Sequence, residues 1–100
     1  MYFGGAGLPV PVPEFRFHPT RKWKADFAWP FYRIFLEVEG AVWTQGRHTR
    51  GSGFVKDMEK YNEAAILGWS VLRCTPKELN NGQAIELVRR MIRSKTSAVG

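Results

Sequence analysis

Three acidic side chains are spaced in a way that could hold a divalent metal ion. Glu37 and Glu39 lie two residues apart at the end of an apolar stretch, and Asp26 lies one hairpin upstream. Side chains two apart on a strand share a face, about 6.6 Å from each other. Antiparallel pairing of Asp26 with Glu37 would bring all three carboxylates to one face, whereas a one-residue slip would not. Such oxygens bind Mg²⁺ or Mn²⁺, so the spacing indicates a metal site, and a metal ion could supply what phosphodiester hydrolysis needs.

An isolated Glu-x-Glu pair is most often the solvated face of a half-exposed strand. Here the net charge is +6, and acidic side chains beside apolar ones need a counterion. A divalent metal is one candidate, and Lys24 or Lys60 is another. Lys60 could aim its ammonium group at the attacking water or the scissile phosphate. Alternatively, it is a surface lysine paired with Glu59 or Glu63.

The first half of the chain predicts the strands that must position these acids. Residues 1–13 carry many glycines and prolines and predict an extended arm that could pack against a second subunit. Alternation predicts strands over 14–18, 22–29 and 33–39, with a two-residue turn at Phe31-Tyr32 between the last two. The side chains of the third strand predicted to face the core are Ile34, Leu36 and Val38.

The second half predicts helices and one further strand. Residues 40–53 indicate a loop, and Ser52 can cap the helix that follows it. Gly68 is predicted to end that helix, and residues 69–74 indicate a buried strand. The buried stripe of the helix is predicted to be Phe54, Met58, Tyr61 and Ala65.

The C-terminal segment predicts two further helical stretches. Thr75, Pro76 and Glu78 have the pattern of a capping box that starts a short helical turn. A final helix follows, and residues 94–100 indicate a frayed tail. Together the elements predict an α/β domain over residues 14–93. Its mixed sheet of about four strands, built from a β-hairpin, a crossover helix and a further strand, is flanked by helices.

Composition limits the class of protein. The chain has 100 residues, of which 44% are hydrophobic, enough for one small domain that dimerisation would help to stabilise. Cys74 stands alone, which excludes an internal disulfide framework and predicts a buried core residue. Residues 1–12 contain neither a signal peptide nor a membrane span, so we expect a soluble cytoplasmic protein without a membrane partner.

Basic residues near the acids predict contacts with DNA phosphates. Such contacts give affinity without reading base sequence. Glycines in the predicted loop would let it bend around a nucleic-acid backbone. The residues predicted to bind nucleic acid are Lys24, Arg47, His48, Arg50 and Lys56.

Five short motifs follow one another along the chain. They are Trp23–Ala28, Leu36–Gly40, Gly46–His48, Asp57–Asn62 and Gly68–Arg73. In this order, the chain resembles the small phage-type endonucleases of the PD-(D/E)XK superfamily, near the very-short-patch-repair and VRR-NUC-like branches. The resemblance implies a restriction-endonuclease-like core in a bacterial or phage-infected host cell.

The resemblance also implies roles for individual residues. Asp26 and Glu37 would bind Mg²⁺ or Mn²⁺, and the Val38 carbonyl is a further candidate ligand. Glu39 stands where the superfamily usually has lysine, so it could bind metal, orient water or act as a base. We therefore expect a dimeric, metal-dependent DNA endonuclease with Asp26, Glu37, Glu39 and Lys60 as its catalytic residues. A branched-DNA resolvase is the close alternative, and a non-catalytic nucleic-acid-binding module is the alternative from another class.

Overall fold

A computed structural model describes residues 7–39 and 52–97. In this part of the chain, four strands form one mixed sheet whose spatial order is their chain order. They are β1 (Val12–Arg16), β2 (Lys24–Trp29), β3 (Ile34–Val38) and β4 (Ser70–Cys74). The first three pair antiparallel, and β4 pairs parallel with β3.

Helix α1 (Ser52–Ile66) makes the crossover from β3 to β4, and α2 (Pro76–Asn80) and α3 (Gln83–Ser97) follow. Parallel neighbours need such a crossover because the chain leaves one strand at one end of the sheet and must enter the next strand at the other end. The predicted α/β class, the mixed four-stranded sheet and the helical crossover are therefore confirmed. No helix within the described ranges is both long and apolar enough to cross a membrane.

Both faces of strand β3 are buried. On one face Ile34 and Leu36 pack with Val88 of α3, and on the other Phe35 packs with Ala64 of α1. All five side chains are fully inaccessible to solvent. The expectation that only one face of β3 meets the core was therefore wrong. Uninterrupted apolar residues are typical of a strand covered on both faces, and each large side chain buried contributes about 1.5–3 kcal/mol.

The predicted buried stripe of α1 is only partly correct. Tyr61 packs against the core, but Met58 and Ala65 are exposed, and Ala64 is the fully buried residue. The prediction failed because the inward face of α1 also carries Lys60, whose head group has a partner on the sheet. The side chain of Phe54 lies outside the described part of the chain.

The predicted helix boundaries around β4 are confirmed. Gly68 has φ +90, and the amides of Gly68 and Trp69 bond to the carbonyls of Ala65 and Ala64 at 3.0 and 2.9 Å. This Schellman arrangement requires a left-handed residue, which glycine adopts without a Cβ penalty. Thr75 forms the predicted capping box at the start of α2, with its hydroxyl accepting from the amide of Glu78.

Three other boundaries differ from the sequence prediction. Strand β1 begins at Val12, inside the predicted arm, and α3 continues to Ser97, inside the predicted tail. A 3₁₀ turn over Pro30–Tyr32, ended by Arg33 at φ +56, replaces the two-residue turn. Proline at the first position of that turn has the φ that a 3₁₀ helix needs.

The arm packs on its own domain where it is described. Leu8 contacts the core cluster around Trp29, and the Pro9 carbonyl accepts a 2.8 Å bond from the Trp29 indole. Residues 40–51, which hold most of the predicted basic loop, lie outside the described part of the chain.

Candidate active site

The β2–β3 register brings Asp26 and Glu37 together. Phe27 pairs with Leu36 and Trp29 with Ile34, so the same register carried one step further places Asp26 opposite Glu37. This pairing was predicted from the sequence and is confirmed. A one-residue slip would instead turn Asp26 to the opposite face from Glu37 and separate the two carboxylates.

Carboxylates replace the backbone ladder at this point. The amide of Asp26 donates to Oε2 of Glu37 at 2.9 Å, and the amide of Val38 donates to Oδ2 of Asp26 at 2.8 Å. Each acid thereby satisfies a backbone N–H group of the strand pair. Hydrogen bonds to ionised oxygens are stronger than those between neutral groups, so both carboxylates are held in fixed positions.

Strand β1 is distorted beside the same position. The β1–β2 register pairs Pro13 with Phe27 and Phe15 with Ala25, which puts Glu14 opposite Asp26. Glu14 has φ +51, a left-handed conformation that costs a non-glycine residue about 1–2 kcal/mol. Local strain of this kind is concentrated at functional sites.

Glu37 is buried and has a cation of its own. Only 7% of the residue is exposed, and Oε1 lies 2.5 Å from Nζ of Lys60 on α1. The same Nζ donates to the Lys24 carbonyl at 2.8 Å. Lys60 is therefore the counterion that the acidic cluster requires, and a solvated strand face is excluded for Glu37.

The two glutamates suggested as partners of Lys60 have other partners. Glu59 accepts from both terminal nitrogens of Arg21 at 3.4 Å, and Glu63 lies 3.1 Å from Nε2 of His18. The interpretation of Lys60 as a solvated surface lysine is therefore contradicted.

Glu39 is bound differently from Glu37. Its Oε2 accepts a 2.6 Å bond from Nε of Arg73 in β4, and the Tyr61 hydroxyl donates to the same oxygen at 3.5 Å. The shorter contact of that hydroxyl, at 3.2 Å, is to Oε1 of Glu37, so its one hydrogen is shared between the two carboxylates. One tyrosine thus joins the two glutamates, and each glutamate has a separate cation.

Electrostatics keep this tyrosine a donor. Burial, and then the charges of Glu37 and Glu39, raise the pKa of the Tyr61 hydroxyl far above its ordinary value. The hydrogen bond to Glu39 raises the pKa of Arg73. Both groups therefore stay protonated at every pH at which the protein would work.

Cys74 takes no part in this chemistry. It is 4% exposed, and burial raises the pKa of its thiol. A thiol that stays protonated is a poor nucleophile. The prediction of a buried core residue is confirmed.

The sequence interpretation gave no role to the Tyr61 hydroxyl or to Arg73. The sequence pattern predicts Tyr61 only as a member of the buried stripe of α1, and it predicts Arg73 only as part of a motif. The available signal was an arginine within the apolar run of β4, on a strand predicted to join the sheet of the acidic strand β3. Its partner depends on the parallel register, which pairs Arg73 with Glu37.

The predicted nucleic-acid contacts are only partly visible. Lys24 is exposed and lies 3.5 Å from Glu14. Arg47, His48 and Arg50 lie outside the described residues, as does the side chain of Lys56. Val38 contributes its amide to the site, and the role of its carbonyl stays a prediction.

The donors present suit a metal that needs few protein ligands. In residues 7–39 and 52–97, no group of three or more His, Cys, Asp or Glu side chains could hold a metal ion by itself. Mg²⁺ usually keeps several waters and is bound through one or two carboxylates plus substrate phosphates. The pair formed by Asp26 and Glu37 supplies two carboxylates, of which Oδ2 of Asp26 and Oε2 of Glu37 already accept from backbone amides.

Comparisons with known proteins add little to the site. Two uncharacterized proteins of Mycobacterium tuberculosis, from strains CDC 1551 / Oshkosh and ATCC 25618 / H37Rv, are each 29% identical over 68 residues. The match covers 66% of this chain and 24% of each relative, so the chain spans about a quarter of their length. No family model and no solved structure matches the chain.

Proposed function

We propose that this protein is a metal-dependent DNA endonuclease with a restriction-endonuclease-like core. The observation that carries the proposal is the buried carboxylate of Glu37, held beside Asp26 and paired with Lys60. Burying an ion pair costs several kcal/mol of desolvation, and apolar side chains would serve stability as well. The pair is therefore not explained by stability alone, which supports a functional role for Glu37 and Lys60.

Each residue of the site has a role in hydrolysis. Asp26 and Glu37 would hold Mg²⁺ or Mn²⁺, which would supply positive charge for the scissile phosphate and lower the pKa of a bound water. Lys60 lies against Glu37 and supplies a positive charge to the phosphate or the attacking water. Glu39, fixed by Arg73 and Tyr61, orients that water.

The resemblance to PD-(D/E)XK endonucleases supports this assignment. Asp26, Glu37 and Lys60 belong to three separate motif segments, and their polar groups meet in one place. The superfamily usually has lysine where this chain has Glu39. Lys60 brings an amine to the site from α1 instead.

Cleavage assays with matched variants test the proposal. Linear duplex, single-stranded, flapped and four-way DNA are incubated with Mg²⁺, Mn²⁺ or a chelator. Asp26→Asn and Glu37→Gln should lower cleavage by about 100-fold or more. The control is Glu86→Gln, which also neutralises a paired carboxylate, but one whose partner is Arg89 within α3 and not a residue of the site. Binding in Ca²⁺ should remain close to wild type in all three variants.

The outcomes separate three functions. Unchanged cleavage in Asp26→Asn and Glu37→Gln contradicts the assignment of the site. Metal-dependent cutting confined to four-way DNA favours a resolvase, for which two symmetric sites in a homodimer would suit paired nicks. Binding without cleavage of any DNA favours a non-catalytic module. The non-catalytic module is supported by the ion pairs that neutralise both glutamates without a metal, Glu37 with Lys60 and Glu39 with Arg73.

A further inference from the structure

A cleft of about 490 Å³ lies beside the candidate active site and shares no side chain with it. Its lining residues are Thr20, Arg21, Lys22, Trp23 and Glu59. Trp23 precedes Lys24, whose carbonyl accepts from Lys60. Asp26 is three positions after Trp23, which is about 10 Å along an extended chain. A ligand in the cleft would therefore lie next to the carboxylates.

The guanidinium of Arg21 lies on the ring of Trp23. Its central carbon is 4.0 Å from the ring centroid, and its two terminal nitrogens lie 3.4 Å from the two oxygens of Glu59. Yet 47% of the Arg21 side chain stays exposed. The guanidinium is thus held over the indole while much of its surface remains open to the cleft. We call Arg21 and Trp23 the stacking shelf.

Two further rings, those of Phe17 and His18, pack against Trp23 of the stacking shelf. The ring of Phe17 stacks on Trp23 at 6.2 Å and 11°, and the ring of His18 meets it edge-on at 5.4 Å. Nδ1 of His18 accepts from the amides of Thr20 and Arg21 at 3.2 and 2.9 Å. Because Nδ1 is an acceptor, Nε2 carries the hydrogen and donates to Glu63. The turn that carries Arg21 is therefore fixed before any ligand binds.

Positive charge surrounds the shelf. Arg16, Lys22 and Lys24 are all exposed, and Arg16 and Lys24 are cross-strand neighbours. Basic side chains beside an aromatic platform are typical of sites that bind single-stranded nucleic acid. Bases stack on arginine planes as well as on aromatic rings, and a base reaches such a plane only when it has left the duplex stack.

We propose that the stacking shelf binds an unstacked nucleobase of single-stranded DNA, with Lys22 and Lys24 contacting the flanking phosphates. This inference rests on the proposed function for its choice of DNA. It narrows the substrate of the candidate active site to DNA with a single-stranded segment, such as a flap, a gap or a branch.

Binding measurements in a chelator test the shelf without any cleavage. Fluorescence anisotropy compares a single strand of about 12 nucleotides, within the range of known single-strand sites, with a hairpin duplex of equal charge. Arg21→Ala and Arg21→Lys should each weaken single-strand binding about tenfold. Duplex binding should change less than about twofold. Arg21→Lys retains the charge and lacks the plane, so it separates stacking from electrostatics.

The matched control is Arg93→Ala, an exposed arginine on α3. It removes the same charge and should change single-strand and duplex binding alike. Wild-type affinity in Arg21→Lys, or an equal loss on both DNA forms in Arg21→Ala, would overturn the stacking assignment. If Arg21→Ala fails to fold, the comparison of Arg21→Lys with wild type decides. The proposed nuclease would survive that result, because cleavage in Mg²⁺ is a separate measurement.

Discussion

The two ends of the β2–β3 pair are stabilised by different interactions. At one end Trp29 and Ile34 pair through the backbone and are 2% and 0% exposed. At the other, Asp26 and Glu37 bond through carboxylates to backbone amides. The same two strands in one register thus hold a hydrophobic core and a charged site.

The difference shows how a small domain holds charges without losing its fold. The apolar end is stabilised by the area it removes from water, which needs no specific partner. At the charged end, Glu37 and Glu39 each have a cation in hydrogen-bonding contact, and Asp26 accepts from a backbone amide. Lys60 and Arg73 come from α1 and β4, so the charged end depends on distant parts of the chain. Substitutions at the two ends should therefore behave differently.

Lys60→Met should have the largest effect, because it leaves the buried carboxylate of Glu37 without its cation. Breaking a buried ion pair from one side costs about 3–5 kcal/mol of unfolding free energy. Saturating Mg²⁺ should restore part of that loss, since a ligand that binds only the folded state stabilises it. Urea unfolding with Mg²⁺ or with a chelator measures both effects.

Two control variants test whether the stability loss of Lys60→Met, and its partial recovery in Mg²⁺, are specific to the charged end. Ile34→Ala, at the apolar end, should cost about 2–5 kcal/mol through a cavity and should show no response to Mg²⁺. Lys77→Met removes an exposed lysine and should stay within about 0.5 kcal/mol of wild type. An unfolding free energy for Lys60→Met equal to that of wild type would contradict the Glu37 pair.

Tyr61→Phe should have an intermediate effect that depends on pH. Removing the shared hydroxyl should cost about 1–2 kcal/mol at neutral pH. The folded protein raises the pKa of Tyr61 above its unfolded value, so this stabilisation is present below pH ~10 and is lost as pH rises above it. The advantage of wild type over the variant should therefore shrink above pH ~10.

Urea unfolding across the neutral and alkaline range measures this advantage. Tyr32→Phe, on the turn at the apolar end, is the matched control and should follow wild type at every pH. An advantage of equal size at neutral and alkaline pH would show that the Tyr61 hydroxyl is not held beside Glu37 and Glu39.

Arg73→Gln should have the smallest effect on stability. The side chains of Arg73 and Glu39 are 53% and 32% exposed, and exposed pairs contribute about 0.2–1 kcal/mol. The loss should fade as salt is raised, because exposed charges are screened. A loss that persists at high salt would mean that Glu39 belongs to the buried network rather than to its edge.

The sequence predicted the parts of the fold that depend on local patterns. The register that pairs Asp26 with Glu37 is the one that puts the acids of β2 and β3 on one face, and the capping box at Thr75 follows from the spacing of its residues. The end of α1 at Gly68 follows from the need for a left-handed residue. Each of these signals lies within a few residues of the structure that it determines.

The parts that escaped prediction depend on contacts between distant segments. Arg73 meets Glu39 only because β4 pairs parallel with β3, and nothing local in either strand specifies that register. The predicted buried stripe of α1 was partly wrong because Lys60 lies toward the sheet, where it donates to Glu37. A polar partner there outweighs the hydrophobic pattern of the helix.

Trp69 gives the protein a spectroscopic probe of its own. Its indole N–H is buried and has no hydrogen-bond partner in the described part of the chain, whereas that of Trp29 donates to Pro9. The two N–H resonances should therefore be resolved in an NMR spectrum, with Trp69 at the lower proton shift. Trp69 packs in one cluster with Ala64 of α1, the helix that carries Lys60. Its resonance therefore reports, without any label, whether α1 is docked and the charged site is assembled.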